Sequence, residues 1–182
     1  MIKLYARLTP VVVRGLRGDV HDPFEVLKTR FRVLPHDIDL NLHLNNGRYL
    51  QLMDLSRVEW LLKTRILQSL LKNGWRGILG GTAVHYRNEM KLWERGVVTT
   101  RLQGWDDRWF YLEHCVDGLD GRPVAIGVVK VGIRGNRQWI RPEAVEASLS
   151  YSVEQPVQSD QFSAFNSLDS MLSDEMRRRR QP

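Results

Sequence analysis

A dense group of polar side chains lies at residues 37–49, where the sequence reads DIDLNLHLNNGRY. Asp39, Asn41 and His43 occupy alternate positions in this segment, so a carboxylate, an amide and an imidazole can converge on one pocket. Side chains of these types act as general bases, as nucleophiles and as groups that orient an attacking water molecule. The spacing therefore indicates acid–base or nucleophilic catalysis on an acyl group.

A long apolar helix is predicted directly after these polar residues. Nine of the fourteen residues at 49–62 are apolar, and on a helical wheel they point in nearly every direction. A helix of this kind is buried inside a protein, and the pattern extends it to about Leu67. Asn45 or Asn46 is a natural cap for its first turn. The free N–H groups and the positive dipole end at this start would stabilise negative charge on an acyl oxygen, as an oxyanion hole does.

Calcium binding is an alternative interpretation of the same loop. Asp37, Asp39 and Asn41 match the opening ligand positions of an EF-hand loop. That motif requires a glycine and a bidentate glutamate further on, where this sequence has Leu42 and Arg48. We therefore predict that the loop holds no metal ion.

A purely structural role is the third interpretation of these polar residues. Asp and Asn side chains fold back onto the backbone in turns and helix caps, which accounts for Asp37, Asn45 and Asn46 without any chemistry. Tyr49 is equally consistent with a core aromatic residue whose hydroxyl group is hydrogen-bonded. The other polar side chains of the loop carry the catalytic hypothesis.

Strands separated by turns make up most of the remaining chain. They are predicted before the polar loop at residues 24–34 and after the helix at residues 80–89, 97–105, 109–116 and 124–134. One strand, a buried helix and four antiparallel strands predict an α+β fold in which a sheet covers the helix on one face. The edge strands of such a sheet invite pairing with a second subunit, so we expect at least a homodimer.

Two terminal segments flank this domain, which we place at residues 23–147. Residues 1–22 form a basic amphipathic arm that is predicted to pack against the domain, and the alternative is an arm that lies on a membrane surface. Residues 148–182 are predicted to be a linker followed by a peripheral helix at about 168–176. The four arginines at 177–180 are typical of a solvated tail.

The charge balance restricts the partners of the protein. With 27 basic and 21 acidic residues the net charge is +6, which favours a phosphorylated ligand, an acidic carrier protein, a membrane surface or nucleic acid. The arginine tail has no aromatic or glycine-rich neighbours, so nucleic acid is not expected. The sequence contains no stretch apolar enough to span a bilayer.

The single cysteine and the absence of cofactor-binding motifs indicate where the protein is located and which cofactors it lacks. Cys115 is the only cysteine and cannot form an intrachain disulfide, which predicts a reducing, cytoplasmic location. The sequence has no dinucleotide fingerprint, phosphate loop or zinc-spaced Cys/His set, so no cofactor is predicted.

Three segments resemble a known family. Residues 39–49, DLNLHLNNGRY, strongly resemble the D-x-N-x-H-x-N-N-x-K-Y segment of hotdog-fold thioesterases, especially the plant acyl-carrier-protein thioesterases. Residues 86–89, YRNE, resemble the Y-R-R-E patch of the same enzymes. Residues 102–113, LQGWDDRWFYLE, resemble thioesterase-superfamily member six and its bacterial relatives, a likeness that covers roughly residues 31–134. The resemblance implies a hotdog fold, in which an antiparallel sheet wraps around a long central helix.

The resemblance also implies roles for individual residues. Asp39 matches the catalytic carboxylate, which acts as general base toward water or as nucleophile on the thioester carbonyl. Asn41 and His43 match the amide and imidazole of the plant enzymes, which orient or activate the attacking group. The backbone N–H of Asn46 matches the oxyanion donor, and Glu89 matches a glutamate of the same network.

The implied function is hydrolysis of an acyl-coenzyme A or acyl-carrier-protein thioester by a homodimer or a tetramer of dimers. Tyr49, Arg87 and Lys91 are candidate substrate contacts; the two cations suit coenzyme A phosphates or an acidic carrier, and ordinary exposed charges are the alternative. The alternative function is a non-catalytic acyl-binding or membrane-peripheral hotdog protein, associated weakly with lipid through its terminal arms.

Overall fold

An antiparallel sheet packed against one long helix forms the centre of the protein, and the computed structural model describes residues 2–17, 19–153 and 160–179. In chain order the elements are α1 (Ile2–Leu16), β1 (Leu27–Arg32), a 3₁₀ turn (Pro35–Asp37), α2 (Asn46–Lys63), α3 (Ile66–Lys72), β2 (Arg76–Tyr86), β3 (Arg95–Trp105), β4 (Trp109–Gly118), β5 (Pro123–Gly135), β6 (Gln138–Ile140), α4 (Pro142–Ala147) and α5 (Asp160–Arg178).

The sheet has the strand order β1-β3-β4-β5-β2, and every pairing in it is antiparallel. The short strand β6 pairs with the end of β5. Strands β1 and β2 therefore form the two edges of the main sheet, and β2 is hydrogen-bonded along one side, to β5. This arrangement confirms the predicted α+β class and the predicted element order.

Helix α2 fills the space in front of the sheet, as its apolar circumference predicts. Its buried side chains include Leu52, Met53 and Trp60, and it packs against β1 and β3. The predicted extension to Leu67 is wrong, because α2 ends at Lys63 and Arg65 adopts a left-handed backbone (φ 60°) that turns the chain into α3. A left-handed residue interrupts the helical hydrogen-bond pattern, so the apolar run becomes two helices.

Helix α1 packs along α2, which confirms the predicted contact of this arm with the domain. Val11 is buried, and Arg14 donates two hydrogen bonds of 2.9 Å to the carboxylate of Glu59 on α2. Further towards the N-terminus, Arg7 donates hydrogen bonds to the side chain of Asp37 and to the carbonyl of Arg32. None of the described helices is long and apolar enough to cross a membrane.

A chain of buried polar groups continues inward from Glu59. Thr29 donates a hydrogen bond of 3.0 Å to the Glu59 carboxylate and accepts one of 3.0 Å from Ser56. The Ser56 and Thr100 hydroxyl groups lie 2.7 Å apart, and Thr100 lies 2.8 Å from Nδ1 of His114. Burial lowers the pKa of His114 to about 3, so the imidazole is neutral in the folded protein.

Helix α5 covers the face of the sheet opposite to α2. Phe162 stacks on Tyr111 of β4 with ring centroids 4.6 Å apart, and Asp169 forms an ion pair with Lys130 of β5. The predicted helix at residues 168–176 is confirmed, but it begins earlier, at Asp160, so the linker prediction is wrong from that residue onward. Residues 154–159 and 180–182, which include the end of the predicted arginine tail, lie outside the described residues.

Candidate active site

Asp37 anchors the polar loop from within the protein. Its carboxylate is buried and accepts hydrogen bonds from the Leu34 backbone, at 2.9 Å, and from Arg7. Its carbonyl accepts a hydrogen bond of 2.9 Å from the backbone of Asn45. Asp37 is therefore a structural residue of the turn, as the sequence predicts.

Asp39 and His43 are brought together by a tight turn of the backbone. The Asp39 N–H donates to the carbonyl of His43, and the Leu42 N–H donates to the carbonyl of Asp39, both at 3.1 Å. The Asp39 Oδ1 lies 3.8 Å from Nδ1 of His43 and accepts a hydrogen bond of 2.9 Å from the backbone of Asn41. The two side chains are 22% and 28% exposed, so both can be reached from solvent.

Asn41 and Leu42 lie within this turn. Leu42 has a left-handed backbone (φ 62°) and an exposed side chain. Asn41 contributes its backbone N–H to the turn, and its exposed side-chain amide makes no hydrogen bond within the described part of the chain. The structure thus joins Asp39 to His43, as the sequence predicts, while the predicted orienting role of the Asn41 amide stays a prediction.

The start of α2 lies beside Asp39. Asn45 caps the helix, since its Oδ1 accepts a hydrogen bond of 2.9 Å from Gly47, and its Nδ2 lies 3.5 Å from Oδ2 of Asp39. Asn46 is the first helical residue; its carbonyl accepts a hydrogen bond of 3.0 Å from the Tyr86 hydroxyl. No group within the described residues accepts a hydrogen bond from the Asn46 N–H, as is usual for the first N–H groups of a helix.

A shallow surface hollow surrounds this helix start. Its lining includes His36, Asp39, Asn45, Gly47 and Arg48. The Asp39 carboxylate and the Asn45 cap of α2 therefore face this hollow, while His43 lies 3.8 Å from Asp39 and Asn46 follows the cap, both outside the lining. Such a set can accept a proton from water and stabilise negative charge on an oxygen atom.

Glu89 and Lys91 lie on the segment next to His43. The backbones of His43 and Lys91 form an isolated antiparallel bridge. The exposed carboxylate of Glu89 lies 3.5 Å from Nζ of Lys91, and within the described chain it has no hydrogen bond to Asp39. Arg87 is exposed, and its backbone donates a hydrogen bond of 2.8 Å to Val124. The bridge thus places Lys91 beside His43, and the Glu89 carboxylate pairs with Lys91.

Tyr49, a candidate substrate contact, lies in the core of the protomer and is not exposed at the surface. Its side chain is buried and meets Tyr86 edge-on, with ring centroids 5.3 Å apart. Burial raises the pKa of Tyr49 to about 12. The structure therefore confirms Tyr49 as a core aromatic residue, although its hydroxyl makes no hydrogen bond within the described residues.

An apolar cavity of about 410 Å³ was missed by sequence reasoning. It lies between the second half of α2, α3, α4 and the sheet, and its lining includes Trp60, Leu70, Trp75, Phe110 and Val145. Asp39 does not line the cavity. Because an α-helix rises about 1.5 Å per residue, Trp60 lies roughly 20 Å along α2 from Asn46 at its start. The apolar residues between 66 and 75 were the available signal, but their convergence depends on the tertiary fold.

Comparison with known proteins identifies the family. The model of the thioesterase-like superfamily matches residues 33–153, well over half of the chain. This chain belongs to the thioesterase-like superfamily. Among related superfamily proteins, Protein THEM6 from Xenopus laevis is 34% identical over 113 residues, which cover 62% of this chain and 51% of that protein. The chain spans about half the length of the curated relatives it matches.

Solved structures agree with this membership at the level of the fold. The probable thioesterase YbaW from Escherichia coli has a TM-score of 0.64 at 19% identity, and the match covers 70% of this chain and 99% of the YbaW chain. The 12:0-ACP thioesterase from Umbellularia californica also has a TM-score of 0.64, at 10% identity, and the match covers 75% of this chain and 54% of the Umbellularia chain. The predicted hotdog fold and the predicted resemblance to thioesterase-superfamily member six are confirmed; the plant enzyme shares the fold, and the match of residues 39–49 to its motif stays a prediction.

Proposed function

We propose that this chain is an acyl thioesterase that hydrolyses the thioester of acyl-coenzyme A or acyl-carrier protein to a free acid and a thiol. The observation that carries the proposal is the position of the Asp39 carboxylate beside His43 and the unbonded Asn46 N–H. Membership of the thioesterase-like superfamily supports the reaction class. The name of the Umbellularia protein, a 12:0-ACP thioesterase, supports the substrate class.

In the first mechanism, Asp39 acts as the general base. Its carboxylate takes a proton from water as the water oxygen bonds to the thioester carbon, and the carbonyl oxygen becomes an oxyanion that accepts a hydrogen bond from the Asn46 N–H. The carbonyl then re-forms, the carbon–sulfur bond breaks, and the protonated Asp39 returns the proton to the leaving sulfur. His43, 3.8 Å from Asp39, keeps the carboxylate oriented.

The second mechanism uses Asp39 as a nucleophile. Its carboxylate displaces the thiolate and forms a mixed anhydride, which water then hydrolyses to regenerate Asp39. Single turnover in water enriched with ¹⁸O identifies the second mechanism when water attacks the anhydride at the Asp39 carbonyl. Attack of water on the Asp39 carbonyl of the anhydride would leave the label in the protein, whereas general-base catalysis places it in the product acid alone.

The apolar cavity suits the acyl chain of such a substrate. If each methylene group takes about the 30 Å³ that a water molecule occupies in the liquid, the 410 Å³ volume holds roughly a dozen of them. Neither Asp39 nor the first turns of α2 line the cavity, so it does not open beside the Asp39 carboxylate of its own protomer. A second protomer would resolve this difficulty.

We propose a homodimer in which the β2 edges pair antiparallel. The cavity is bounded at the start of β2 by Arg76 and Leu79, whereas the end of β2 contacts the helix start through Tyr86 and Asn46. Antiparallel pairing would bring the start of one β2 beside the end of the other. The cavity of one protomer would then face the Asp39 site of its partner. Association of two such dimers into a tetramer is a further step of the same proposal.

Release of free thiol from a panel of acyl-coenzyme A and acyl-carrier-protein substrates tests the reaction. We expect turnover that falls about 10²- to 10⁴-fold in Asp39→Asn, the range for loss of a general base. His43→Ala should also lower the rate. Asp107→Asn, which removes an exposed aspartate from the β3–β4 turn, is the matched control and should leave it unchanged.

Two results would contradict this proposal. If Asp39→Asn retains the full rate, the catalytic assignment is wrong. If substrates bind but release no thiol, the protein is an acyl-binding member of the superfamily. Light scattering after size-exclusion chromatography measures the mass of the assembly, and a monomer at all concentrations would remove the dimer.

A further inference from the structure

The face of α5 that packs on the sheet continues beyond the sheet. Phe162, Phe165 and Asp169 lie three and four residues apart, which places them on one side of the helix. The same spacing continues at Leu172 and Met176, whose side chains are 58% and 62% exposed. We call these five residues the α5 contact face. Its first three residues pack against the sheet of this protomer, and its last two, the bare half of the face, are exposed to solvent.

The contacts of α5 show the direction in which it crosses the strands. Phe162 stacks on Tyr111 of β4, whereas Asp169 pairs with Lys130 of β5 and approaches Gly81 of β2. Seven helical residues rise about 10.5 Å, close to two strand spacings of about 4.8 Å. Helix α5 therefore runs across the strands, from β4 over β5 to β2.

Strand β2 is the last strand of the sheet on this side. From Asp169 to Met176 the helix rises about another 10.5 Å, which is two more strand spacings beyond β2. Within the described chain there is no strand at those two positions. A sheet that continued through paired β2 edges would place β2 and β5 of a second copy there.

We propose that Leu172 and Met176 pack on the sheet of a second copy of this chain, so that each α5 clasps its partner across the β2 edge. The inference rests on the β2-paired dimer proposed above. Two-fold symmetry makes the contact reciprocal. The axes of the two α5 helices must lie about 8–10 Å apart, which equals about three residues along a strand. The two-fold axis lies halfway between the helices, so it passes one or two residues from Gly81, which α5 of this protomer approaches.

The charges on α5 favour a protein partner over an anionic membrane. Arg177 pairs with Asp174 at 3.3 Å, and both Arg178 and Arg179 pair with Glu175, at 3.7 and 3.0 Å. Three arginines share two carboxylates in these pairs, but the whole of α5, Asp160–Arg178, contains four acidic and two basic residues, so the helix has no basic excess. A helix that binds anionic lipid instead presents an excess of basic charge beside its apolar face.

The test replaces the bare half of the contact face with charge. We expect the double variant Leu172→Asp/Met176→Asp to raise the dimer dissociation constant at least tenfold, measured by sedimentation equilibrium of the full chain over a dilution series. The matched control is Val20→Asp/Leu119→Asp, which changes two exposed apolar residues elsewhere and should leave the constant unchanged. A chain that ends at Ser170 should weaken the dimer as the double variant does.

Each other outcome overturns the clasp. An unchanged dissociation constant in both the double variant and the shortened chain shows that α5 does not contact the partner. A wild-type chain that is monomeric removes the clasp together with the dimer. If the double variant dimerises normally but loses binding to phosphatidylglycerol vesicles, the bare face is a lipid contact. Thiol release by the wild-type chain is measured separately, so failure of the proposed hydrolysis is distinguishable from all three.

Discussion

Replacing Arg14 by Met should destabilise the protein by leaving a buried carboxylate without its cation. Glu59 is 2% exposed, and Arg14 donates both of its charge-assisted hydrogen bonds from α1. After the substitution, Thr29 is the remaining side-chain donor to Glu59 within the described residues. Met keeps much of the apolar stem of arginine, so the change removes mainly the charge and the hydrogen bonds.

The magnitude follows from the burial of the two partners. Removing one member of a buried ion pair costs about 3–5 kcal/mol, because the other charge stays desolvated. The Arg14 side chain is 46% exposed, so water can enter where the guanidinium was and solvate part of the Glu59 carboxylate. We therefore expect a loss near the lower end of that range, about 3 kcal/mol.

Urea unfolding measures this loss as a shift in the transition midpoint at an unchanged slope. Arg14→Met/Glu59→Gln should recover at least half of the loss, because the second change removes the unpaired charge. Arg101→Met is the matched control: Arg101 is 43% exposed, but its partner Glu113 is better hydrated, so about 1 kcal/mol is expected. A loss below about 1 kcal/mol in Arg14→Met, or no recovery in the double variant, would refute the reasoning.

Three further predictions concern single positions. Leu42→Gly should stabilise the protein by about 1 kcal/mol in urea unfolding, because glycine tolerates the left-handed backbone (φ 62°) and the exposed leucine side chain packs little. Gly96→Ala should cost about 1–3 kcal/mol in the same assay, since its Cβ would lie 2.6 Å from the Phe31 ring and 2.8 Å from the Asp117 carbonyl oxygen. His114→Gln should flatten the dependence of unfolding free energy on pH. Between pH 6.5 and about 3 the unfolded chain binds a proton that the buried imidazole does not bind. The free energy of unfolding of the wild type therefore decreases as the pH is lowered, by about 1.4 kcal/mol per pH unit from this group.

Each of these has an outcome that would contradict it. A destabilised Leu42→Gly would mean that the turn depends on the leucine side chain. An unaffected Gly96→Ala would show that the Phe31 ring can move away at no cost. Equal pH slopes for wild type and His114→Gln would mean that the imidazole gains its proton in the folded protein as easily as in the unfolded chain.

The sequence was sufficient for features with a local cause. Strands with alternating apolar residues, the cap at Asn45 and the buried circumference of α2 follow from neighbours within a few positions, and all appear in the structure. The pairing of Asp39 with His43 is likewise local, because one turn of four residues closes it. Spacing alone was enough to predict these.

Features that depend on distant residues could not be predicted in this way. The break at Arg65 ends an apolar run that has no proline or glycine to mark it. The anchoring of Asp37 by Arg7 joins residues thirty positions apart, and the apolar cavity collects side chains from α2 to α4. Burial of Tyr49 was left open because the sequence does not show which side of a uniformly apolar helix meets Tyr86.

The strand order also determines when the protein can fold during its own synthesis. β3, β4 and β5 are joined by short turns and pair with their sequence neighbours, so they can form as soon as they leave the ribosome. β1, α2 and β2 are made earlier, yet β1 must wait for β3 and β2 must wait for β5. The nascent chain therefore carries an apolar helix and two unpaired strands until β3 is made, and β2 stays unpaired until β5 is complete. We expect this interval to be its period of greatest exposure to aggregation.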